Sequence, residues 1–101
     1  MSGNINIAQL NKAFDSRIRL GIMSTLMVND EISYNDLKEL LDVTDGNLAS
    51  HLKALEGLKY IAVFKGFIGR KTNTTYQITK MGEKAFKEHL DMLEKIIQQA
   101  K

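Results

Sequence analysis

The sequence predicts a mostly helical α+β domain in which two helices joined by a tight turn precede a two-stranded hairpin and a long terminal helix. Three observations carry this. Apolar residues recur at helical spacing in every segment up to Tyr60 except one polar turn. Only a turn of about three residues, Asp42 to Thr44, joins the third helical segment to the next. After Lys59 the period changes from 3.6 to 2, then returns to 3.6 after Thr79.

In chain order, I-N-I-A-Q-L-N-K-A-F keeps Ile7, Leu10 and Phe14 at helical spacing, which predicts a short first helix over about residues 5–14. Asp15 and Ser16 form a capping signal before a core helix whose line is Ile18, Ile22 and Leu26, widened by Met23. Gly21 in its middle costs about 1 kcal/mol relative to Ala, so it marks either close helix packing or a tolerated defect. Asn29, Asp30 and Glu31 make a polar turn, and Ile32 allows a very short strand at Glu31 to Ser33. Ser33 with Asp36 reads as a capping box for Y-N-D-L-K-E-L-L, which gathers Leu37, Leu40 and Leu41. With the next helix this makes a helix-turn-helix.

That next helix begins at Thr44, whose hydroxyl can accept the amide of Gly46 or Asn47, while Asp45 places a negative charge where the helix dipole favours one. At about 100° per residue, Leu48, Leu52 and Leu55 fall at roughly 0°, 40° and −20°. Gly46, Asn47, Ser50, Lys53 and Ala54 crowd the other side. Such short, neutral or basic side chains let a helix approach the base edges of a DNA major groove. His51 stands at the border of the core, suited to bonding backbone or phosphate.

Ile61 and Val63, then Tyr76 and Ile78, alternate as two strands, and K-G-F-I-G-R-K-T-N between them predicts a loop over about residues 65–74 with Arg70 and Lys71 near its tip. Phe67 and Ile68 in that loop either fold back on the sheet or meet another chain. Thr79 caps the last helix, residues 80–100, where Phe86, Leu90, Leu93, Ile97 and Ala100 follow heptad spacing. At about 1.5 Å per residue this helix reaches some 30 Å, so its far half packs on a partner or on the first helix.

The chain has 101 residues, enough for one domain with a single core. It has no cysteine, which excludes thiol chemistry, disulfides and thiolate metal sites. The absence of any span-length apolar run or signal-peptide pattern leads us to expect a cytoplasmic protein with no membrane partner. The net charge of +2 decides nothing, but its distribution does: residues 44–80 sum to +4 and residues 1–43 to −2. A polyanion would meet the helix after the turn and the hairpin. Two histidines, without a nucleophile elbow or phosphate loop, argue against an enzyme and give no reason to expect a cofactor. His89, Asp91 and Glu94 would make a weak metal site, because His89 is off the line of the two carboxylates; no metal is expected.

Helix, short strand, helix, turn, helix, hairpin, helix is the order of a winged helix-turn-helix. L-D-V-T-D-G-N-L-A-S-H-L-K-A-L-E, then Y-I, then T-T-Y-Q-I-T-K-M-G, resembles the small winged-helix regulators related to the MarR and ArsR groups. There the pattern is T-D-G-N-L-S-x-H-L-x-x-L-E, a basic wing, and T-x-Y-x-L-T-x-x-G. The resemblance covers about residues 12–93. It departs in two places: G-L-K-Y stands where an Ala-Gly-aromatic turn is common, and Thr72 and Asn73 stand where a proline is frequent.

The resemblance implies a DNA-reading helix at Asp45 to Leu58, a wing contact by Arg70 and Lys71, and a homodimer made by the terminal helices. The expected contacts to double-stranded DNA are Thr44, Asn47, Ser50, His51, Lys53, Ala54, Arg70 and Lys71. The expected dimer seam is Phe86, Leu90, Leu93 and Ile97. With no room for a separate sensor domain, regulation would act at the dimer interface, through a partner, or through a small-molecule effector between the wing and terminal helices. The competing reading is a winged helix that docks a protein and binds no DNA.

Overall fold

Each long helix starts where a hydroxyl side chain accepts an amide that the first turn would otherwise leave unpaired. The computed structural model describes residues 10–99. Ser16 accepts from the Arg19 amide (3.3 Å) ahead of α1 (Arg17–Val28), and Ser33 from Asp36 (3.1 Å) ahead of α2 (Tyr34–Leu41). Thr44 accepts from Asn47 (3.3 Å) ahead of α3 (Asp45–Gly57), and Thr79 from Gly82 (2.9 Å) ahead of α4 (Lys80–Gln99).

Of the expected first helix, residues 5–9 lie outside the described residues. The remainder forms only a 3-10 turn, Lys12–Phe14. Asn11 caps that turn by accepting the Ala13 amide (2.9 Å), and Ser16 soon starts α1, so only one turn fits between the two caps.

The sheet has three antiparallel strands rather than two, β1 (Ile32–Ser33), β2 (Ile61–Ile68) and β3 (Lys71–Ile78), in the order β1-β3-β2. Ile32 stands opposite Tyr76, and the Thr75 hydroxyl donates to the Glu31 carboxylate beside it. The hairpin is also longer than expected, since most of the loop placed at 65–74 is strand. Gly66 and Asn73, read as turn residues, pair with each other across a ladder that runs from Ile61–Ile78 out to Ile68–Lys71. Only Gly69 and Arg70 make the turn. Gly69 has φ +64° and Arg70 stays out of the left-handed region, as a two-residue turn with glycine first requires.

The core joins Phe14, Ile22, Met23, Leu26 and Leu37 to Leu48, Leu52 and Leu55 of α3, Ile61 and Tyr76 of the sheet, and Phe86 of α4. Gly21 marks close packing: a Cβ there would lie 2.8 Å from Leu41 Cδ2.

A second close approach sets the hinge between α3, sheet and α4. Beyond α3, Lys59 N–H bonds Glu56 O (2.9 Å) and Tyr60 N–H bonds Leu55 O (3.1 Å), with Lys59 at φ +65°. This is a Schellman closure made with lysine where glycine is usual. The Thr79 N–H then bonds Tyr60 O (3.0 Å), and its hydroxyl donates to Lys59 O (2.7 Å). A Cβ on Gly82 would lie 2.0 Å from Tyr60 O, so the T-K-M-G run is a joint that admits only glycine at its end.

Of α4, Gly82, Phe86 and His89 are buried, whereas Leu90 and Ile97 are exposed. Among the described residues no helix is long and apolar enough to cross a membrane.

Candidate nucleic-acid interface

Burying Leu48, Leu52 and Leu55 turns the opposite side of α3 outward. Thr44, Asn47, Ser50 and Lys53 are exposed there, with His51 and Ala54 half-buried at the flank. The one acidic group at the start of this helix is compensated. Lys38 Nζ lies 3.1 Å from Asp45 Oδ2, and Tyr34 Oη lies 3.1 Å from Asp45 O and 3.2 Å from its Oδ1. The Lys38 ammonium, then the Tyr34 hydroxyl, hold the Asp45 carboxyl below the usual carboxylate range. Neither partner was evident beforehand, because both sit on α2.

His51 is held from the core side. Arg19 on α1 donates its Nε–H to His51 Nδ1 (2.9 Å) and reaches the Ala13 carbonyl through Nη1 (3.3 Å). Burial, then the Arg19 charge, push the His51 imidazole below its ordinary value, so it is neutral at pH 7. Arg17 was also overlooked: it is exposed and shares a groove of about 500 Å³ with Thr44 and Asn47. Helical periodicity places both arginines off the apolar line of α1 but says nothing of what stands beside them.

Between α3 and the wing runs a groove of about 490 Å³, with Lys53 and Glu56 on one wall and Lys65 and Thr74 on the other. Lys65 thus adds a basic group facing the helix. Arg70 and Lys71 are exposed at the hairpin tip, about 23 Å along β2 from Ile61 at strand rise. Phe67 and Ile68, 74% and 69% exposed, do not fold back on the sheet.

The expected seam on α4 divides. Phe86 is 3% exposed and meets Phe14 edge-on at 5.3 Å, so it belongs to the chain's own core and leaves the seam. The heptad spacing could not reveal this, because Phe86 shares a face with Leu90 and differs only in lying over the domain. Leu90 and Ile97 are exposed and Leu93 is half-buried; Ala100 lies outside the described residues.

His89 is buried: its Nδ1 accepts the Asn11 N–H (3.2 Å) and its ring stands edge-on to Phe14. Burial lowers its proton affinity, with Asp15 acting the other way. It is not brought together with Asp91 and Glu94, and among the described residues no three His, Asp or Glu side chains converge on a metal-sized site.

Comparison with known proteins agrees with this geometry. The family model described as a winged helix DNA-binding domain matches residues 18–97. An uncharacterized protein of Methanocaldococcus jannaschii is 38% identical over 79 residues, 78% of this chain and 86% of that one. A transcriptional regulator homologue from Pyrococcus horikoshii superposes with TM-score 0.75 at 30% identity, covering 91% of this chain and 96% of that one. The YusO protein of Bacillus subtilis shares the fold, with TM-score 0.77 at 18% identity over 88% of this chain and 62% of that one. With 80 of its residues inside the family match and the helix-turn-helix and wing both formed, the chain belongs to the winged helix DNA-binding domain family.

Proposed function

We propose that this protein regulates transcription by binding specific DNA as a homodimer, with α3 in the major groove of each half-site and the wing on flanking backbone or minor groove. The observation that carries the reading is the short polar face of Thr44, Asn47 and Ser50 beside a basic groove and a basic hairpin tip. A major groove is about 12 Å wide, so a wing about 23 Å long extends past it to the next stretch of backbone. The dimer would form through α4 beyond His89, where Leu90 and Ile97 are exposed and Leu93 is half-buried.

The test separates reading from positioning at DNA selected from a random pool. Asn47 and Ser50 reach base edges, so Asn47→Ala or Ser50→Ala should remove about 1 to 3 kcal/mol of preference for the selected site, Ser at the low end, with little change in salt dependence. Arg70→Ala with Lys71→Ala should weaken binding to selected and scrambled duplexes alike. It should also make the log-affinity against log-salt slope shallower by about two per wing, twice that for a dimer. Loss of cognate binding alone in the wing variant would reverse the roles. No change in any variant would favour the protein-docking reading.

A further inference from the structure

We propose that Arg19, inside α1, is a positioning residue for DNA recognition: it locks His51 as the Nε2–H tautomer, so that α3 presents a hydrogen-bond donor to an acceptor on the DNA. The inference rests on the DNA-binding reading above and adds to it a residue, a protonation form and a polarity of contact.

A guanidinium carries only donors and does not lose its proton in proteins. The atom that takes the Arg19 Nε–H at 2.9 Å must therefore offer a lone pair, and that atom is His51 Nδ1. An imidazolium has no lone pair on either nitrogen, and a neutral imidazole has one N–H. The proton is consequently on Nε2. Arg19 does not swing freely, because its Nη1 also reaches the Ala13 carbonyl at 3.3 Å and α1 is anchored through Ile22, Met23 and Leu26.

Among the described residues Nε2 has no hydrogen-bond partner, and His51 is only half-buried. His51 lies one helical turn beyond the exposed Asn47, at the flank of the outward face. A donor in that place suits a phosphate oxygen or the N7 acceptor of guanine. It does not suit the amino groups of adenine or cytosine, which donate.

The test uses the full chain and a duplex selected from random DNA. Long-range proton–nitrogen correlation of the labelled protein should show His51 Nδ1 as the bare nitrogen and Nε2 as the protonated one, and Arg19→Met should abolish that preference. In binding, His51→Ala and Arg19→Met should each cost about tenfold. The double variant should be within about twofold of either single, since both remove the same contact.

His51→Gln, whose amide nitrogen takes the place of Nε2, should retain most of the affinity and be indifferent to Arg19→Met. His51→Asn, which imitates the other nitrogen, should behave like alanine. This pair leaves Arg19 untouched and tests the donor even if the Arg19 variant folds poorly. Replacing guanines by 7-deazaguanine, or single phosphates by methylphosphonates, should erase the difference between wild type and His51→Ala at one position. The modification that does so names the acceptor.

An Nδ1–H tautomer in the wild type, full additivity of Arg19→Met with His51→Ala, or insensitivity to both DNA modifications would overturn the proposal. A wild type that selects no DNA would instead overturn the regulator reading and the donor's role with it. The nitrogen spectrum would still report separately whether Arg19 sets the tautomer.

Discussion

Gly82→Ala sets two effects of opposite sign against each other, and the structure decides between them. Gly82 lies in the first turn of α4, where helix propensity alone would reward alanine by up to about 1 kcal/mol. The added Cβ, however, would lie 2.0 Å from Tyr60 O and 2.8 Å from Tyr60 C, both backbone atoms that no rotamer change can move. Relief requires α4 to withdraw from Tyr60 by about 1.5 Å, judged against an ordinary non-bonded separation of roughly 3.5 Å.

That withdrawal strains the bonds from Thr79 N–H to Tyr60 O (3.0 Å) and from the Thr79 hydroxyl to Lys59 O (2.7 Å). Overpacking costs about 1 to 3 kcal/mol, occasionally more, and each weakened bond up to about 1 kcal/mol. After the propensity gain is subtracted, a net loss of about 2 to 4 kcal/mol is expected, or a fall in Tm of roughly 10 to 25 °C for a domain of this size.

Thermal and urea unfolding followed by circular dichroism measure it, with Gly57→Ala as the control. Gly57 ends α3 with nothing within 4 Å of the site of a Cβ, so alanine there should be neutral or stabilising by up to about 1 kcal/mol. A Gly82→Ala variant as stable as the wild type would falsify the close contact at the α3–α4 joint.

Three further outcomes are expected. Lys59 holds φ +65°, so Lys59→Gly should relieve left-handed strain of about 1 to 2 kcal/mol and lose part of that to unfolded-chain entropy; a rise in urea midpoint checks it, and a fall would mean the lysine side chain contributes more than its backbone costs. His51 and His89 both bind protons less readily in the folded chain, through burial first, so the unfolded chain protonates first as pH falls below about 6.5. Stability present above that pH should be lost progressively below it, urea midpoints at pH 7.5 and 5.5 should differ, and His51→Gln with His89→Gln should remove most of the difference. Leu93→Glu should yield a folded monomer with weak DNA binding in sedimentation and binding assays; a monomeric wild type would sink the α4 dimer, and a variant that unfolds would place Leu93 in the chain's own packing.

What the residues determined without a structure were the features set within about four positions along the chain. Ser16, Ser33, Thr44 and Thr79 announce helix starts because a cap and the amide it receives are three residues apart. The spacing of Leu48, Leu52 and Leu55 told which side of α3 is buried, and so left Asn47 and Ser50 outside, because helical geometry alone assigns a face.

Tertiary structure decided whatever depends on a neighbour distant in sequence. Gly66 and Asn73 carry turn propensity, yet they pair as strand because the ladder begun at Ile61 and Ile78 continues through them. Phe86 and Leu90 follow one heptad rule, yet only Phe86 lies over Phe14. Arg19 meets His51 across 32 residues, and Gly82 meets the Tyr60 carbonyl across 22; periodicity assigns such residues a face but cannot name what faces them. The pairing of α3 with α1, and of α4 with the end of α3, is therefore a property of the packed core, where burial brings remote groups to hydrogen-bonding or contact distance.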